Sequence, residues 1–242
     1  MSPQTYRPDI DGLRTIAVIG VLLYHVGVPG FSGGFVGVDI FFVISGFLIT
    51  RILVAEVSET GTVSFSRFYA RRARRLFPAM LTTVVVSMTF GFLLFSAEQY
   101  ERLAASAVFT LVSFSNVFFW WGTSYFDAEA VTKPLLHTWS LSVEEQFYFI
   151  WPALMLLVMT RARGAALAVI IALAAISLIF CEYLLMLDQS AAFYLLPGRI
   201  IELAMGAAMV WLVRIGPRNG LWLEPVLVAA FALMLAPMVL YT

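Results

Sequence analysis

Long apolar segments recur along the whole chain, and they constrain its fold more than any other feature. A helix needs roughly 20 apolar residues to cross a bilayer. We predict crossings at seven segments: 13–29, 35–50, 76–96, 139–160, 165–187, 195–213 and 222–241. A further apolar segment at 103–121 is ambiguous. The pattern predicts an all-α protein, a polytopic transmembrane helix bundle.

The composition excludes a soluble domain. Only 12% of the 242 residues are charged and 61% are hydrophobic, whereas a soluble domain carries about 25% charged residues. The net charge is zero, so no nucleic-acid partner is implied. Cys181 is the single cysteine, which excludes an internal disulfide and a cysteine metal cluster. With only two histidines, we predict no metal site.

Arginine placement orients the helices, because cytoplasmic loops carry an excess of Lys and Arg. The segment 51–75 holds six arginines, and shorter arginine-bearing turns occupy 161–164 and 214–220. With all of these in the cytoplasm, the N-terminus is cytoplasmic and segment 103–121 is a re-entrant or outer-leaflet helix beside about seven crossings. The polar stretch 122–138 then lies outside. Eight crossings are the alternative.

Arg14 and His25 are ionisable residues within the first predicted span. Eleven residues of helix correspond to a rise of about 16.5 Å and a rotation of about 20°, so both side chains share one face. Intramembrane ionisable groups usually mark function. Arg14 alone is explained by a positive-inside anchor and His25 alone by packing. Together they are better explained as the two ends of an intramembrane path.

Asp39 and Ser45 belong to the second span. Counting from a turn centred near Ser32, His25 and Asp39 are equally far away, so an antiparallel hairpin places them at similar depth. A carboxylate beside an imidazole orients the ring and favours its role as a base. The alternative for Asp39 is a helix N-terminal cap. Ser45 either packs between helices or lines a channel.

An arginine cluster lies in the cytoplasmic segment FYARRARRLFP. Arg71 and Arg72 each have a second arginine three residues later, Arg74 and Arg75, so two parallel pairs begin a helix. Arginines suit bidentate phosphate binding, which favours a site for a phosphate-rich cytoplasmic ligand. Contact with lipid headgroups is the alternative.

Two consecutive glutamates, Glu144 and Glu145, enter the span that follows PLLHTWSLS. We expect them on the outer side, the side of His25. Ser140 or Ser142 can cap this helix, and cap and dipole chemistry explains one glutamate more easily than both.

Aromatic residues accompany these carboxylates. Trp139, Tyr148 and Trp151 fit an aromatic belt at the membrane interface, and aromatic rings beside carboxylates also suit a sugar-binding mouth. We take four residues as candidates for substrate binding: His137, Trp139, Glu145 and Tyr148.

Five segments in this order resemble the membrane-bound acyltransferase family 3: YRPDIDGLRTIAVIGVLLYH, GGFVGVDIFFVISGFLIT, FYARRARRLFPA, LLHTWSLSVEEQFY and GRIIELAMG. This family includes bacterial polysaccharide and peptidoglycan O-acetyltransferases, and the chain looks most like lipopolysaccharide O-antigen acetylases. The family's motifs fall on Arg14 with His25, on Arg72 with Arg75 before Pro78, on Ser45 with Gly46, and on the run Trp139, Ser140, Leu141 and Glu144.

The resemblance implies an enzyme that moves an acetyl group from cytoplasmic acetyl-CoA to a glycan hydroxyl across the bacterial inner membrane. Acetyl-CoA is then the acyl-donor substrate, and no permanently bound cofactor is implied. Family domains have about ten spans, so we expect residues 1–242 to form one acyltransferase membrane domain that is cut short.

The implied mechanism assigns a role to each candidate. The catalytic residues are expected to be His25, Arg14, Asp39 and Glu144, with His25 as general base or transient acetyl carrier and a carboxylate orienting its ring. The donor is expected on Arg14, Arg71, Arg72, Arg75 and Ser45, with its pantetheine arm along the first helix. The alternative function is a proton-coupled transporter of a glycan, lipid or small molecule.

Overall fold

The computed structural model describes residues 7–122, 133–215 and 223–240. Within these ranges the chain forms α-helices joined by short turns and no strand, which confirms the all-α prediction. In chain order the helices are α1 (Pro8–His25), α2 (Gly37–Thr60), α3 (Phe65–Leu94), α4 (Ala97–Leu111), α5 (Ser115–Gly122), α6 (Thr138–Arg161), α7 (Ala166–Leu187), α8 (Gln189–Tyr194), α9 (Leu196–Ile215) and α10 (Leu223–Leu240). Most of the polar stretch 122–138, and much of the arginine-bearing turn 214–220, lie outside the described residues.

Among the described residues, five helical segments are long and apolar enough to cross a membrane, judged by length and composition. They are Gly34–Thr60, Phe65–Leu94, Thr138–Arg161, Arg163–Leu187 and Gln189–Val213. A shorter apolar helix follows at Leu227–Leu240. The polytopic prediction is confirmed, and the number of about seven crossings stays a prediction.

The ambiguous segment 103–121 is divided between two helices. Helix α4 begins with a capping box, in which Ser96 and Gln99 satisfy each other's backbone N–H groups. The chain then turns at Ser113, whose φ of 59° ends the helical path before α5. A 15-residue helix such as α4 rises only about 22 Å. The segment is therefore not one continuous transmembrane helix.

The described chain divides into two compact units, and helices α2 and α9 contribute to both. The first unit consists of Met1–Leu48 with Glu202–Thr242. Its helices approach closely through glycine. A side-chain carbon at Gly37 would collide with the Ala17 carbonyl of α1, and one at Gly46 would collide with the Leu203 carbonyl of α9. Gly46 therefore serves close helix packing within this unit.

The second unit is Ile49–Ile201. Its core combines large apolar side chains with buried hydrogen bonds between helices. Trp151 stacks on Phe147 with ring centroids 4.5 Å apart, and the Trp151 indole N–H donates to the hydroxyl of Thr50, 2.8 Å away. Both Thr50 and Trp151 are buried, so this bond ties α6 to α2 inside the unit.

Candidate functional site

His25 is the last residue of α1 in the first unit. The helix ends there because Gly27 takes a left-handed φ of 71°, while the N–H groups of Gly27 and Val28 bond back to Tyr24 and Leu23. This is the glycine-terminated helix end known as the Schellman motif. The exposed imidazole therefore stands at the carboxyl end of a regular helix that also contains Arg14.

The orientation of the His25 ring comes from its own helix. Its Nδ1 lies 2.8 Å from the carbonyl oxygen of Val21. A carbonyl only accepts hydrogen bonds, so Nδ1 carries the proton and the neutral ring keeps its lone pair on Nε2. From the sequence we expected Asp39 or Glu144 to orient this ring. The hydrogen bond that orients it in the structure goes instead to the backbone carbonyl of Val21.

The prediction that His25 and Asp39 lie at the same depth is wrong, as the pairing of backbone positions between α1 and α2 shows. Gly34 packs against Gly20 and Gly37 packs against Ala17, so α2 runs antiparallel to α1 with Asp39 near the turn around Ala17. That position lies about two turns before His25. The reason is that residues 26–33 turn back along α1, so that the chain enters α2 level with Gly20 and Ala17 rather than level with His25. The roles of Asp39 stay predictions.

Arg14 and Ser45 occupy opposite environments in the same unit. Arg14 is part-exposed, and its Nη1 lies 3.6 Å from Asp11 one turn earlier in α1. Ser45 is buried in α2 beside the tightly packed Gly46. Both fit the structural alternatives given above, and their predicted roles in donor binding are not tested by these contacts.

The four arginines of the cluster in α3 lie in different environments and do not form two equivalent pairs. Arg74 and Arg75 are exposed, and Arg71 is an exposed residue whose Nη2 lies 4.0 Å from Glu56. Arg72 alone is drawn inside the second unit, where its side chain is 20% exposed. The difference follows from the helical rotation of about 100° per residue, which turns Arg72 toward α6.

Arg72 contacts two residues of α6, and one of these contacts a third. Its Nη2 lies 3.7 Å from Glu145 Oε1, and its guanidinium carbon lies 3.8 Å from the centroid of the Tyr148 ring. The Tyr148 hydroxyl donates to Glu144 Oε2 at 3.3 Å. We call these four residues, Arg72, Glu144, Glu145 and Tyr148, the Arg72 cluster.

This arrangement corrects the predicted placement of Arg72 and Glu145 on opposite sides of the membrane. The ion pair sets their charged groups side by side, so the two side assignments do not both hold. The reason is that α3 begins at Phe65, so Arg72 lies about two turns inside a helix that the sequence was expected to bring into the membrane only from residue 76.

One donor of the Arg72 cluster has no acceptor among the described residues. The Nε of Arg72 is buried and makes no hydrogen bond there. A buried N–H group without a partner costs free energy, of the order of 1–3 kcal/mol. The Arg72 cluster therefore contains a buried hydrogen-bond donor whose acceptor is missing among the described residues.

The aromatic residues of α6 are buried rather than spread along the membrane interface. Trp139, Tyr148 and Trp151 are only 2–3% exposed, so the aromatic-belt interpretation is wrong. The Trp139 ring is covered by Phe193 at a centroid distance of 4.5 Å and by the guanidinium of Arg199 at 5.7 Å. Sugar binding by Trp139 stays a prediction.

The start of α6 also differs from expectation. The helix begins at Thr138, with the exposed His137 before it. Ser140 and Ser142 therefore lie inside the helix and do not cap it. The Ser142 hydroxyl instead lies 2.8 Å from the hydroxyl of Ser115 on α5. The predicted role of His137 in substrate binding is not tested by these contacts.

A buried polar network that was not predicted from the sequence joins α4, α5 and α6. Thr138 bonds both Thr110 and Ser115 at 3.0 Å, and Gln146 donates to the carbonyl of Ser113 at 2.9 Å and to Asn116 at 2.8 Å. A signal was present: Thr138, Ser142 and Gln146 are spaced four residues apart on one helix face. This network holds the break at Ser113 in place.

These features define a polytopic α-helical membrane protein that carries ionisable residues within its apolar helices. The chain belongs to the membrane-bound acyltransferase family 3, because the family model described as an acyltransferase domain matches residues 7–242. This finding agrees with the resemblance inferred from the motifs.

Three curated relatives illustrate the similarity. The chain is 38% identical to the peptidoglycan O-acetyltransferase OatA of Listeria monocytogenes, over 85% of this chain and 34% of the relative. It is 36% identical to the O-acetyltransferase OatA of Staphylococcus aureus, over 85% of this chain and 35% of the relative. It is 38% identical to the putative peptidoglycan O-acetyltransferase YrhL of Bacillus subtilis, over 85% of this chain and 33% of the relative.

The chain therefore spans about a third of the length of these curated relatives. No solved structure matches it. Two of the three names specify peptidoglycan, which is the property of those relatives.

Proposed function

We propose that this protein is a transmembrane O-acetyltransferase that moves an acetyl group from cytoplasmic acetyl-CoA to a hydroxyl of a cell-surface glycan. The proposal places it in the bacterial inner membrane with its N-terminus in the cytoplasm. Peptidoglycan is the favoured acceptor because relatives at 38% identity carry that word in their names. Lipopolysaccharide O-antigen and exopolysaccharide are the other acceptors to be measured.

The observation that carries the proposal is the state of Arg72. Its guanidinium is fixed by Glu145 and Tyr148, yet its buried Nε has no acceptor among the described residues. An oxygen of the acyl donor would satisfy this N–H, and a fixed guanidinium loses little entropy on binding it. The exposed Arg75 and Arg71 offer further charge for the CoA phosphates.

His25 is proposed as the general base. Its protonated Nδ1 is held by Val21, so Nε2 is the nitrogen that accepts a proton. In direct transfer, Nε2 takes the proton of the sugar hydroxyl while the sugar oxygen attacks the thioester carbonyl. The carbon–sulfur bond then breaks, and the imidazolium returns its proton to the CoA thiolate. In the alternative route Nε2 attacks the thioester carbonyl, and the carbon–sulfur bond breaks to release the CoA thiolate. The sugar oxygen then attacks the acetyl group on Nε2, the nitrogen–carbon bond breaks, and the hydroxyl proton passes to the thiolate.

Acetyl transfer in membranes tests the catalytic role of His25. Membranes containing the whole protein receive isotope-labelled acetyl-CoA and an isolated glycan, and labelled acetyl esters are quantified by mass spectrometry. We expect His25→Ala to lower transfer by at least about 100-fold, the contribution typical of a general base. The control is Val26→Ala, which removes an exposed side chain from the next position. Normal transfer by His25→Ala would overturn the role of His25.

The arginines are tested by their dependence on donor concentration. We expect Arg72→Ala with Arg75→Ala to raise the KM for acetyl-CoA, with partial recovery of the rate at high donor concentration. Arg67→Ala removes an exposed arginine that precedes the cluster in the first turn of α3 and serves as the matched control. An unchanged KM in the double variant contradicts the donor site. Movement of a glycan without consumption of acetyl-CoA would instead identify a transporter.

A further inference from the structure

Tyr148 connects the arginine and one carboxylate of the Arg72 cluster. Its ring lies under the guanidinium of Arg72, and its hydroxyl donates to Glu144. We propose that Tyr148 is a positioning residue, whose ring aims Arg72 toward the acyl donor while its hydroxyl holds the Glu144 carboxylate. This inference rests on the proposed function and adds a residue that acts through its neighbours.

Helix geometry explains why this residue reaches both partners. Tyr148 follows Glu144 by four residues and Glu145 by three, so all three side chains lie on adjoining faces of α6. Glu145 pairs with the end of the Arg72 guanidinium while the Tyr148 ring supports its face. The two consecutive glutamates are therefore held differently, one by the arginine and the other by the tyrosine hydroxyl.

Burial makes the positioning strict. Tyr148 is 2% exposed, and its neighbour Phe147 stacks on Trp151 within the same core. A closely packed ring has no space to swing away from the guanidinium. A guanidinium over an aromatic face is stabilised when water is excluded. The ring and the hydroxyl of Tyr148 consequently have separable effects, one on Arg72 and one on Glu144.

Two substitutions separate these effects in acetyl-transfer assays with the whole protein. Tyr148→Phe keeps the ring, so we expect an unchanged KM for acetyl-CoA. It removes the hydroxyl that holds Glu144, which is an expected catalytic residue, so we expect kcat to fall by about three- to tenfold, the range of one hydrogen bond. Tyr148→Leu removes both contacts, so we expect the same loss of kcat and a KM higher by about fivefold.

The matched control is Tyr69→Phe. The Tyr69 hydroxyl donates to the carbonyl of Phe149 at 2.8 Å, so it joins the same two helices without touching a carboxylate. We expect this variant to keep both kcat and KM. The amount of each protein in the membrane and its melting temperature in detergent are measured beside the kinetics.

Each outcome supports or overturns the role of Tyr148. A normal kcat in Tyr148→Phe overturns the hydroxyl's part, and a normal KM in Tyr148→Leu overturns the ring's part. Equal losses in Tyr148→Phe, Tyr148→Leu and Tyr69→Phe, in step with melting temperature, identify a structural role only. If the unaltered protein transfers no acetyl group, the proposed function itself is overturned. The outcomes for Tyr148 are distinct from that result, because they compare variants with an active unaltered protein.

Discussion

Within each of the two units, the helices are held together by a different kind of contact. In the first unit, helices approach until backbone touches backbone, as at Gly46 against Leu203 and at Gly206 against Val43. In the second unit, helices are joined by side-chain hydrogen bonds and by the ion pair of Arg72 with Glu145. In lipid both means are effective, because apolar burial alone does not favour one helix contact over another.

The difference bears on how the candidate residues are fixed. His25 is oriented by its own helix, through Val21 one turn earlier. Arg72 is oriented by residues of another helix, α6. The geometry of His25 therefore depends on local structure, whereas the geometry of Arg72 depends on the tertiary packing of the second unit.

The largest expected effect comes from filling the close contact in the first unit. In Gly46→Ala the added carbon meets the Leu203 carbonyl, so the helices must separate, and we expect a loss of about 3 kcal/mol in the free energy of unfolding. Thermal unfolding in detergent measures this loss. The control is Gly12→Ala in α1, where nothing lies within 4 Å. Equal melting temperatures for the two variants would contradict backbone contact as the means of packing.

Removing one charge of the Arg72 cluster is the next test. Glu145→Ala leaves Arg72 without its counter-charge, and we expect a loss of about 2 kcal/mol, below the value for a fully buried pair because both side chains are 20% exposed. Replacing both residues, as Arg72→Met with Glu145→Leu, is expected to recover most of this stability while abolishing donor binding. Glu98→Ala, in an exposed pair with Arg102, is the control.

The polar network gives a smaller effect. Gln146→Leu removes the donor to the Ser113 carbonyl and to the Asn116 side-chain oxygen, at a cost of about 1.5 kcal/mol. We expect a lower melting temperature and faster proteolysis near Ser113. Gln189→Leu, which changes an exposed glutamine of α8, is the control. An unaltered melting temperature in Gln146→Leu would show that the network does not hold the helix break.

Asp188 gives the smallest effect, and a dependence on pH. A hydrogen bond from the Trp120 indole, followed by one from the Ala191 N–H, lowers the pKa of this carboxyl. A carboxyl whose pKa is lowered by folding stabilises the folded protein at pH values above its ordinary pKa of about 4. This contribution is lost as the pH falls below that value. We expect Asp188→Asn to melt below the unaltered protein at pH 7, with the difference closing as the pH falls below about 4. Glu98→Gln is the control. If the melting temperatures of Asp188→Asn and the unaltered protein differ by the same amount across this pH range, the Asp188 carboxylate is not the source of the stabilisation.

Local patterns in the sequence predicted the helices and part of the candidate site. The spacing of Arg14 and His25 fixes their shared face because α1 is a regular helix. The end of α1 was predicted four residues too late, although Gly27 carried the signal for it. The return of residues 26–33 along α1, which displaces Asp39 from the predicted register, had no comparable local signal.

Contacts between distant parts of the chain were not predicted. Arg72 and Glu145 were each identified as functional candidates, but nothing in their positions along the chain indicates that they meet. The rotation of α3 about its axis decides that Arg72 turns inward while Arg75 stays exposed. That rotation depends on the packing of the whole second unit, which local patterns do not encode.

The pairing of Arg72 with Glu145 has a consequence for how the protein is made. The ribosome synthesises α3 before α6, so Arg72 reaches the translocon while its counter-charge does not yet exist. Arg72 lies about two turns from the start of the 30-residue helix α3, where an unpaired charge costs less than about 3 kcal/mol, the value expected at the centre of a transmembrane helix. Arg72 therefore acquires its ion pair only after α6 has been synthesised, and the packing around Arg72 is completed later than α3 itself.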